Sequence, residues 1–213
     1  MNAPRLTTEP NMKLHYAPGA CSLAPHIVLQ EAGLPFELVK VNLKAHEFED
    51  GSDYYPVAPK GQVPLLELDS GERLSEGPAI SQYLADQVPT KNLAPANGTM
   101  ARYRLQEWLN FVTSELHKGI GGLFNPAMPE DGKAVIRAKA LSKLQWVDGQ
   151  LEGKQYLMGD SFSIADAYLF TVTTWTAHTG MDISGLKNLC AFQARMAGRP
   201  AVQAALKAEG LLK

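Results

Sequence analysis

Apolar positions change their spacing along the chain, and each change predicts an element. Lys13 to Tyr16 reads as a strand within an apolar stretch from Met12 to Ala17, and Leu23 to Ala32 as an amphipathic helix stopped by Gly33. Phe36 to Val41 reads as a second strand. Strand, helix and strand in that order form a crossover unit whose strands run parallel. His46 to Pro59 mixes acidic and aromatic residues without clean periodicity. Val63 to Leu68 and Glu72 to Ser75 flank a turn at Asp69 to Gly71, which predicts an antiparallel hairpin. A helix follows from Gly77 to Val88, with Pro78 in a first turn where no intrahelical donor is lost.

Beyond Val88 the pattern turns wholly helical, after a stretch from Pro89 to Thr99 that holds Pro95, Gly98, Asn92 and Asn97. A helix is predicted from Ala101 to Gly122, where Leu105, Leu109, Val112, Leu116 and Ile120 form one apolar stripe. Asn110, Ser114 and His117 recur at the same spacing on a separate polar stripe. Further helices are predicted over Gly132–Gly153, Ile164–Gly180, Gly185–Gly198 and Pro200–Ala208. Ser163 and Asp166 make a capping-box pattern that fixes where the Ile164 helix begins.

The order β-α-β, then β-β-α, is the thioredoxin-like arrangement. The expected organisation is a tail over 1–11, a thioredoxin-like α/β domain over 12–88, a linker over 89–100 and an all-α domain over 101–213.

Composition narrows the function classes. A formal net charge of -2, with no Lys/Arg cluster, gives no electrostatic reason to expect nucleic acid or anionic lipid. Cys21 and Cys190 match no zinc or CxxC spacing, so no metal is expected, and a reducing compartment, the cytoplasm, fits better than a disulfide framework. No apolar run approaches the roughly 20 residues that span a bilayer.

The chemistry concentrates at Pro18-Gly19-Ala20-Cys21-Ser22, the turn into the first helix. Cys21 stands where unpaired helix amides point outward, so its thiol is expected to ionise below the ordinary value of about 8.5. Glu76-Gly77 stands at another helix start, where amides suit a carboxylate and Glu76 suits an ammonium. His15, His26 and His178 lack carboxylate or cysteine partners at metal spacing and read as packing or surface histidines. Cys190 reads as a buried small hydrophobe, and Trp108, Trp146 and Trp175 as core.

The motifs Pro18-Gly19-Ala20-Cys21-Ser22, Pro59-Lys60-Gly61-Gln62-Val63-Pro64, Ser75-Glu76-Gly77 and Ser114-Glu115-Leu116-His117 resemble those of the cytosolic glutathione S-transferases, the bacterial beta class in particular. The resemblance runs from Met12 to the C-terminus. It implies an enzyme that conjugates the thiol of glutathione to a small hydrophobic electrophile, with glutathione-dependent thiol-disulfide or peroxide reduction through Cys21 as a second branch. A non-catalytic binding or interaction protein on the same scaffold is the alternative. A homodimer is implied, and glutathione enters as co-substrate.

By the same resemblance Cys21 and His117 are the catalytic pair. Glutathione is expected to meet Cys21, His46, Val63, Glu76, Gly77, Asn110, Ser114, Glu115, Leu116 and His117. Val63 takes the family's backbone-pairing role before a cis proline, Pro64. Family members often have Glu-Ser where this chain has Glu76-Gly77, which removes a hydroxyl contact. His46 stands where a lysine is often found, with Lys44 nearby, and the sequence leaves open which one meets the glycyl carboxylate. Tyr16 aligns with the activating tyrosine of other classes but reads as a packing residue beside Cys21, because a phenol that ionises near 10 is a poor local anion. Phe124, Met128 and Trp175 are candidates for the second-substrate pocket.

Overall fold

The computed structural model describes residues 12–212. The expected tail over 1–11 lies outside them.

Five strands form one sheet in the order β3-β2-β1-β4-β5. The central strand β1 (Met12–Tyr16) pairs parallel with β2 (Glu37–Asn42), across the crossover helix α1 (Leu23–Ala32). On its other side β1 pairs antiparallel with β4 (Leu65–Leu68), which turns back into β5 (Arg73–Ser75). Gly33 closes α1 in the left-handed region at φ 68°, as the helix-stop signal requires. The stretch without clean periodicity contains β3 (Glu47–Phe48), a two-residue strand antiparallel to β2. Two residues are too few for a period to register.

Helix α1 departs from the amphipathic pattern expected of it. Every residue from Leu23 to Leu29 is buried, because α1 packs between α2 (Gly77–Gln87) and two helices of the second half, α6 (Ile164–Thr174) and α8 (Pro200–Ala208). A helix covered on all sides has no polar face to keep. One continuous core therefore joins Leu14, Ile27, Leu66 and Ile80 to Leu105, Leu144 and Leu169. A smaller cluster of Ala17, Val41, Tyr54, Ala58, Val63 and Leu65 covers the other side of the sheet.

The second half begins with a rod in three parts: α3 (Met100–Phe111), a π-helical segment over Val112–His117, and α4 (Lys118–Gly122). The stripe Leu105, Leu109, Val112, Leu116 and Ile120 is buried along its whole length. Hydroxyls from Thr113 and Ser114 donate to the carbonyls of Leu109 and Asn110 at 2.8 and 3.0 Å, giving donors to carbonyls at the point where the α-helical ladder is interrupted. α5 (Glu130–Gln150), α6 and α7 (Lys187–Ala197) complete the bundle.

The capping box at α6 is present. The Ser163 amide and hydroxyl both donate to one Asp166 oxygen at 2.8 Å, and the Leu157 amide donates to the other at 2.8 Å. No helix among the described residues is long and apolar enough to cross a membrane.

Candidate functional site

A groove of about 660 Å³ runs between the sheet half and the helical half. Cys21, Val63, Pro64, Glu76 and Gly77 line it from one side, and Thr113, His117, Lys118 and Tyr168 from the other.

Cys21 lies in the turn that carries the chain from β1 into α1. Gly19, at φ 71°, occupies a backbone region that a side chain would strain. The Gly19 carbonyl accepts the indole N–H of Trp175 at 2.9 Å, and its amide donates to the carboxylate of Glu209 at 2.9 Å. The cysteine turn is thus held by residues far away in the chain.

The thiol itself corrects the expectation of a low pKa. Burial pushes Cys21 up to about 11, although the backbone amides of Cys21 and Ser22 oppose this. Its Sγ donates to the Val63 carbonyl at 3.2 Å, which holds the proton on sulfur. The Ser22 hydroxyl gives no help, because it is buried and spent on the amide and carbonyl of Ala17 at 3.2 and 3.3 Å.

Val63 precedes a cis peptide bond to Pro64. Glu76 stands immediately before α2 with φ 71° and ψ 111°, a sparsely populated region that costs a non-glycine residue about 1–3 kcal/mol. Strain of this kind clusters at ligand clamps. The Lys60 ammonium, 2.8 Å from Glu76 Oε1, holds that carboxyl below its usual range.

His117 reaches the groove from the π segment. Its Nδ1 lies 2.6 Å from the Tyr168 hydroxyl, and its ring packs edge-on against Trp175 with centroids 5.0 Å apart. Burial pushes the imidazole down to about 4, so it is neutral near pH 7. Nε2 has no partner among the described residues and keeps solvent access, and His117 lines the groove.

Other expected residues lie elsewhere in the single chain. His46 does not line the groove: its Nδ1 is 3.0 Å from the Gly61 carbonyl and its ring lies against Tyr55. Lys44 does not line it either. Ser114 and Glu115 face a separate depression against α5, with Glu115 3.2 Å from Lys143, and Asn110 is exposed. The side chain of Leu116 is fully buried in the core. The reason is the geometry of the rod: Thr113 and His117, four residues apart, share the groove face, which leaves Ser114 and Glu115 on the far side.

One further reading is sharpened and one is corrected. His26 has a carboxylate partner, Glu209, at 2.8 Å, brought to it from 183 residues away. Trp146 is 48 % exposed and joins Trp108 and Phe111 in a surface aromatic cluster. Tyr16 and His15 are buried, His178 is exposed, and half-buried Cys190 donates to the Ile183 carbonyl. Sequence reasoning missed Tyr168, Thr113 and Lys118. Only Thr113 carried a local signal, its i, i+4 relation to His117.

Two family models match the chain: glutathione S-transferase, N-terminal domain, over residues 19–87, and glutathione S-transferase, C-terminal domain, over residues 111–200. Glutathione S-transferase GstA of Escherichia coli O157:H7 is 51 % identical over 200 residues, covering 94 % of this chain and 100 % of that relative. Among solved structures, the ternary complex of BphK, a bacterial GST, superposes with a TM-score of 0.92 at 56 % identity, covering 93 % of this chain and 100 % of that one. A sphingomonad glutathione S-transferase complexed with glutathione gives 0.90 at 48 % identity, covering 94 % and 100 %.

Proposed function

Since the chain belongs to the glutathione S-transferase family, we propose that it binds glutathione in the Cys21 groove and transfers its thiol to small hydrophobic electrophiles. The observation that carries this reading is one groove with three complementary features. They are a backbone edge at Val63, a carboxylate and helix terminus at Glu76-Gly77, and two sulfur-directed groups, Cys21 and His117.

In this reading the cysteinyl part of glutathione pairs with the backbone of Val63. The γ-glutamyl carboxylate meets the amides at the start of α2, and the ammonium displaces Lys60 from Glu76. The glutathione sulfur then lies beside Cys21. Glutathione's backbone takes the Val63 carbonyl from the Cys21 thiol, whose freed S–H donates to the glutathione thiolate. Neutral His117 donates to it in the tautomer with its proton on Nε2. The glutathione thiol releases its proton to solvent at the open groove, the resulting thiolate attacks the electrophilic carbon, a C–S bond forms, and the leaving group departs with its electron pair.

Phe124 and Trp175, edge to face at 6.0 Å, offer an apolar shelf for the electrophile next to His117. A direct thiol–disulfide route is the weaker branch. With its pKa near 11, Cys21 is ionised to only about one part in ten thousand at pH 7, which slows attack on a disulfide.

We also infer a two-fold homodimer in which the outward polar residues Asn110, Ser114 and Glu115 face the partner's groove. Two free thiols suit a reducing compartment, the cytoplasm. Retention on immobilised glutathione, followed by conjugation of a chloronitroarene, tests the central proposal. Retention without turnover would indicate a binding protein, and neither would remove glutathione from the groove.

A further inference from the structure

We infer that His46 is a positioning residue for glutathione, which holds the loop Gly61–Val63 from behind the groove and does not itself touch the tripeptide. The inference rests on the proposed glutathione site for its ligand and on the His46–Gly61 contact for its content.

Gly61, Gln62 and Val63 line the groove, and each of their carbonyls meets a side chain from a different part of the chain. His46 Nδ1 is 3.0 Å from the Gly61 carbonyl, the Tyr54 hydroxyl donates to the Gln62 carbonyl at 3.1 Å, and Cys21 Sγ donates to the Val63 carbonyl at 3.2 Å. A carbonyl oxygen only accepts, so the bond from His46 carries its proton on Nδ1. When the glutathione backbone takes the Val63 carbonyl, Cys21 lets go of the loop. The two bonds that stay come from His46 and Tyr54, neither of which lines the groove.

The backbone at His46 is shaped for this contact. Its φ of 57° is a left-handed conformation that few non-glycine residues adopt. Among the described residues only Glu76 and Asn92 share a positive φ without being glycine, and Glu76 also stands at the groove. The turn after β2 sets the conformation. Asn42 Oδ1 accepts the amides of Lys44 and Ala45 at 3.0 and 3.2 Å, and the Asn42 carbonyl accepts that of His46 at 2.7 Å. The His46 carbonyl accepts the Tyr54 amide at 2.9 Å, which joins the two supports of the loop to each other.

Gly61 is matched to what lies behind it. It has φ 62°, and an added Cβ would stand 2.8 Å from both His46 Nδ1 and Tyr55 Cε1. The rings of His46 and Tyr55, with centroids 4.8 Å apart, fill the space that a side chain would take. Tyr54 is fully buried, and burial pushes its phenol up to about 12, so it keeps the proton that it gives to Gln62.

The support matters because glutathione pairs with the loop through backbone groups. A loop already in place spares the ligand the entropy of ordering it. Losing the His46 bond loosens Gly61 and the pairing edge beyond it, while Cys21 and His117 still face the reacting sulfur. The loss therefore falls on binding in the ground and transition states alike, and appears in KM rather than kcat.

Two variants of the full chain test this. His46→Gly takes up φ 57° freely and removes the donor, whereas His46→Asn tolerates the same φ and keeps an N–H about where Nδ1 stands. With a chloronitroarene as electrophile, His46→Gly is expected to raise KM for glutathione about five-fold, the worth of one hydrogen bond, with kcat within about two-fold of wild type. His46→Asn is expected to restore most of the loss. γ-Glutamylcysteine, which lacks the glycyl residue, separates support from direct contact, and the same rise is expected with it. A rise confined to glutathione would make His46 a ligand of the glycyl carboxylate and overturn the inference. An unchanged KM in His46→Gly would do the same. Ring ¹⁵N shifts of wild-type His46 at pH 8 are expected to show a pyrrole-like Nδ1 with and without glutathione. A pyridine-like Nδ1 would overturn the His46–Gly61 bond even where neither variant folds. Failure of immobilised glutathione to retain the wild type would instead remove the glutathione reading, and the ring shifts would still decide the bond.

Discussion

Glu209 Oε1 lies 2.8 Å from His26 Nδ1, and neither side chain is exposed to solvent. The other carboxylate oxygen accepts the Gly19 amide at 2.9 Å, so this pair joins α1 and the segment after α8 to the turn that carries Cys21. Glu209→Ala would leave buried His26 and the part-buried Gly19 amide without this partner. It is expected to lower unfolding free energy by about 1–3 kcal/mol for each group left unpaired, measured by denaturant titration, and to reduce conjugation with it.

Lys60, 2.8 Å from Glu76 Oε1, competes with a ligand ammonium for the Glu76 carboxylate. Glu76→Ala is expected to weaken glutathione binding by about 1.5–3 kcal/mol, the range for a hydrogen bond to a charged group. Lys60→Met removes the competing cation and is expected to move the dissociation constant the other way. Calorimetric titration of both variants checks the pair; equal affinities across them would take Glu76 out of the site.

Gly77 has room for the serine that other family members carry. A Cβ there meets only Pro64 Cγ at 3.8 Å, ordinary van der Waals contact. Gly77→Ser is therefore expected to fold normally and to tighten glutathione binding by about 0.5–1.5 kcal/mol, if the new hydroxyl bonds the γ-glutamyl carboxylate. Calorimetry against the parent chain reads the difference.

His15 is buried between Phe48 and Tyr54, and neither ring nitrogen has a partner. Burial lowers its pKa, Arg73 and Lys13 add to the fall, and Glu67 and Glu37 oppose it without reversing it. The unfolded chain therefore takes up a proton near 6.5 that the folded chain refuses, and stability falls as pH drops through that value. His15→Phe is expected to raise stability by about 1 kcal/mol at pH 7, with an advantage that widens as pH falls from about 6.5. Thermal unfolding midpoints of both chains across that range check the sign.

Local patterns carried much of the fold. The bounds of α1, the Gly33 stop, the β4–β5 hairpin and the Ser163–Asp166 box all follow from residues within a few positions of one another. The π segment was not legible, because Leu105, Leu109, Val112, Leu116 and Ile120 keep a helical spacing through it. Its consequence, turning Thr113 to the groove and Ser114 away, needs the backbone. Tyr168 sits in a helix buried on all sides, so no polar stripe in the sequence singles it out. The Gly19–Trp175 and His26–Glu209 bonds join residues 156 and 183 positions apart, with no local pattern to announce them. The thiol of Cys21 was misjudged for a related reason. Its place at a helix start is visible in the sequence, but the burial that outweighs the helix amides is not.

Ultraviolet absorbance of thiolate near 240 nm, followed against pH for the ligand-free chain, its glutathione complex and Cys21→Ala, tests the central claim that the glutathione sulfur and not Cys21 is the reacting anion. The ligand-free wild type is expected to show no Cys21 thiolate until pH approaches 11, and the glutathione complex to show one near neutrality that persists in Cys21→Ala. A thiolate step below pH 8 in the ligand-free wild type, absent from Cys21→Ala, would contradict it.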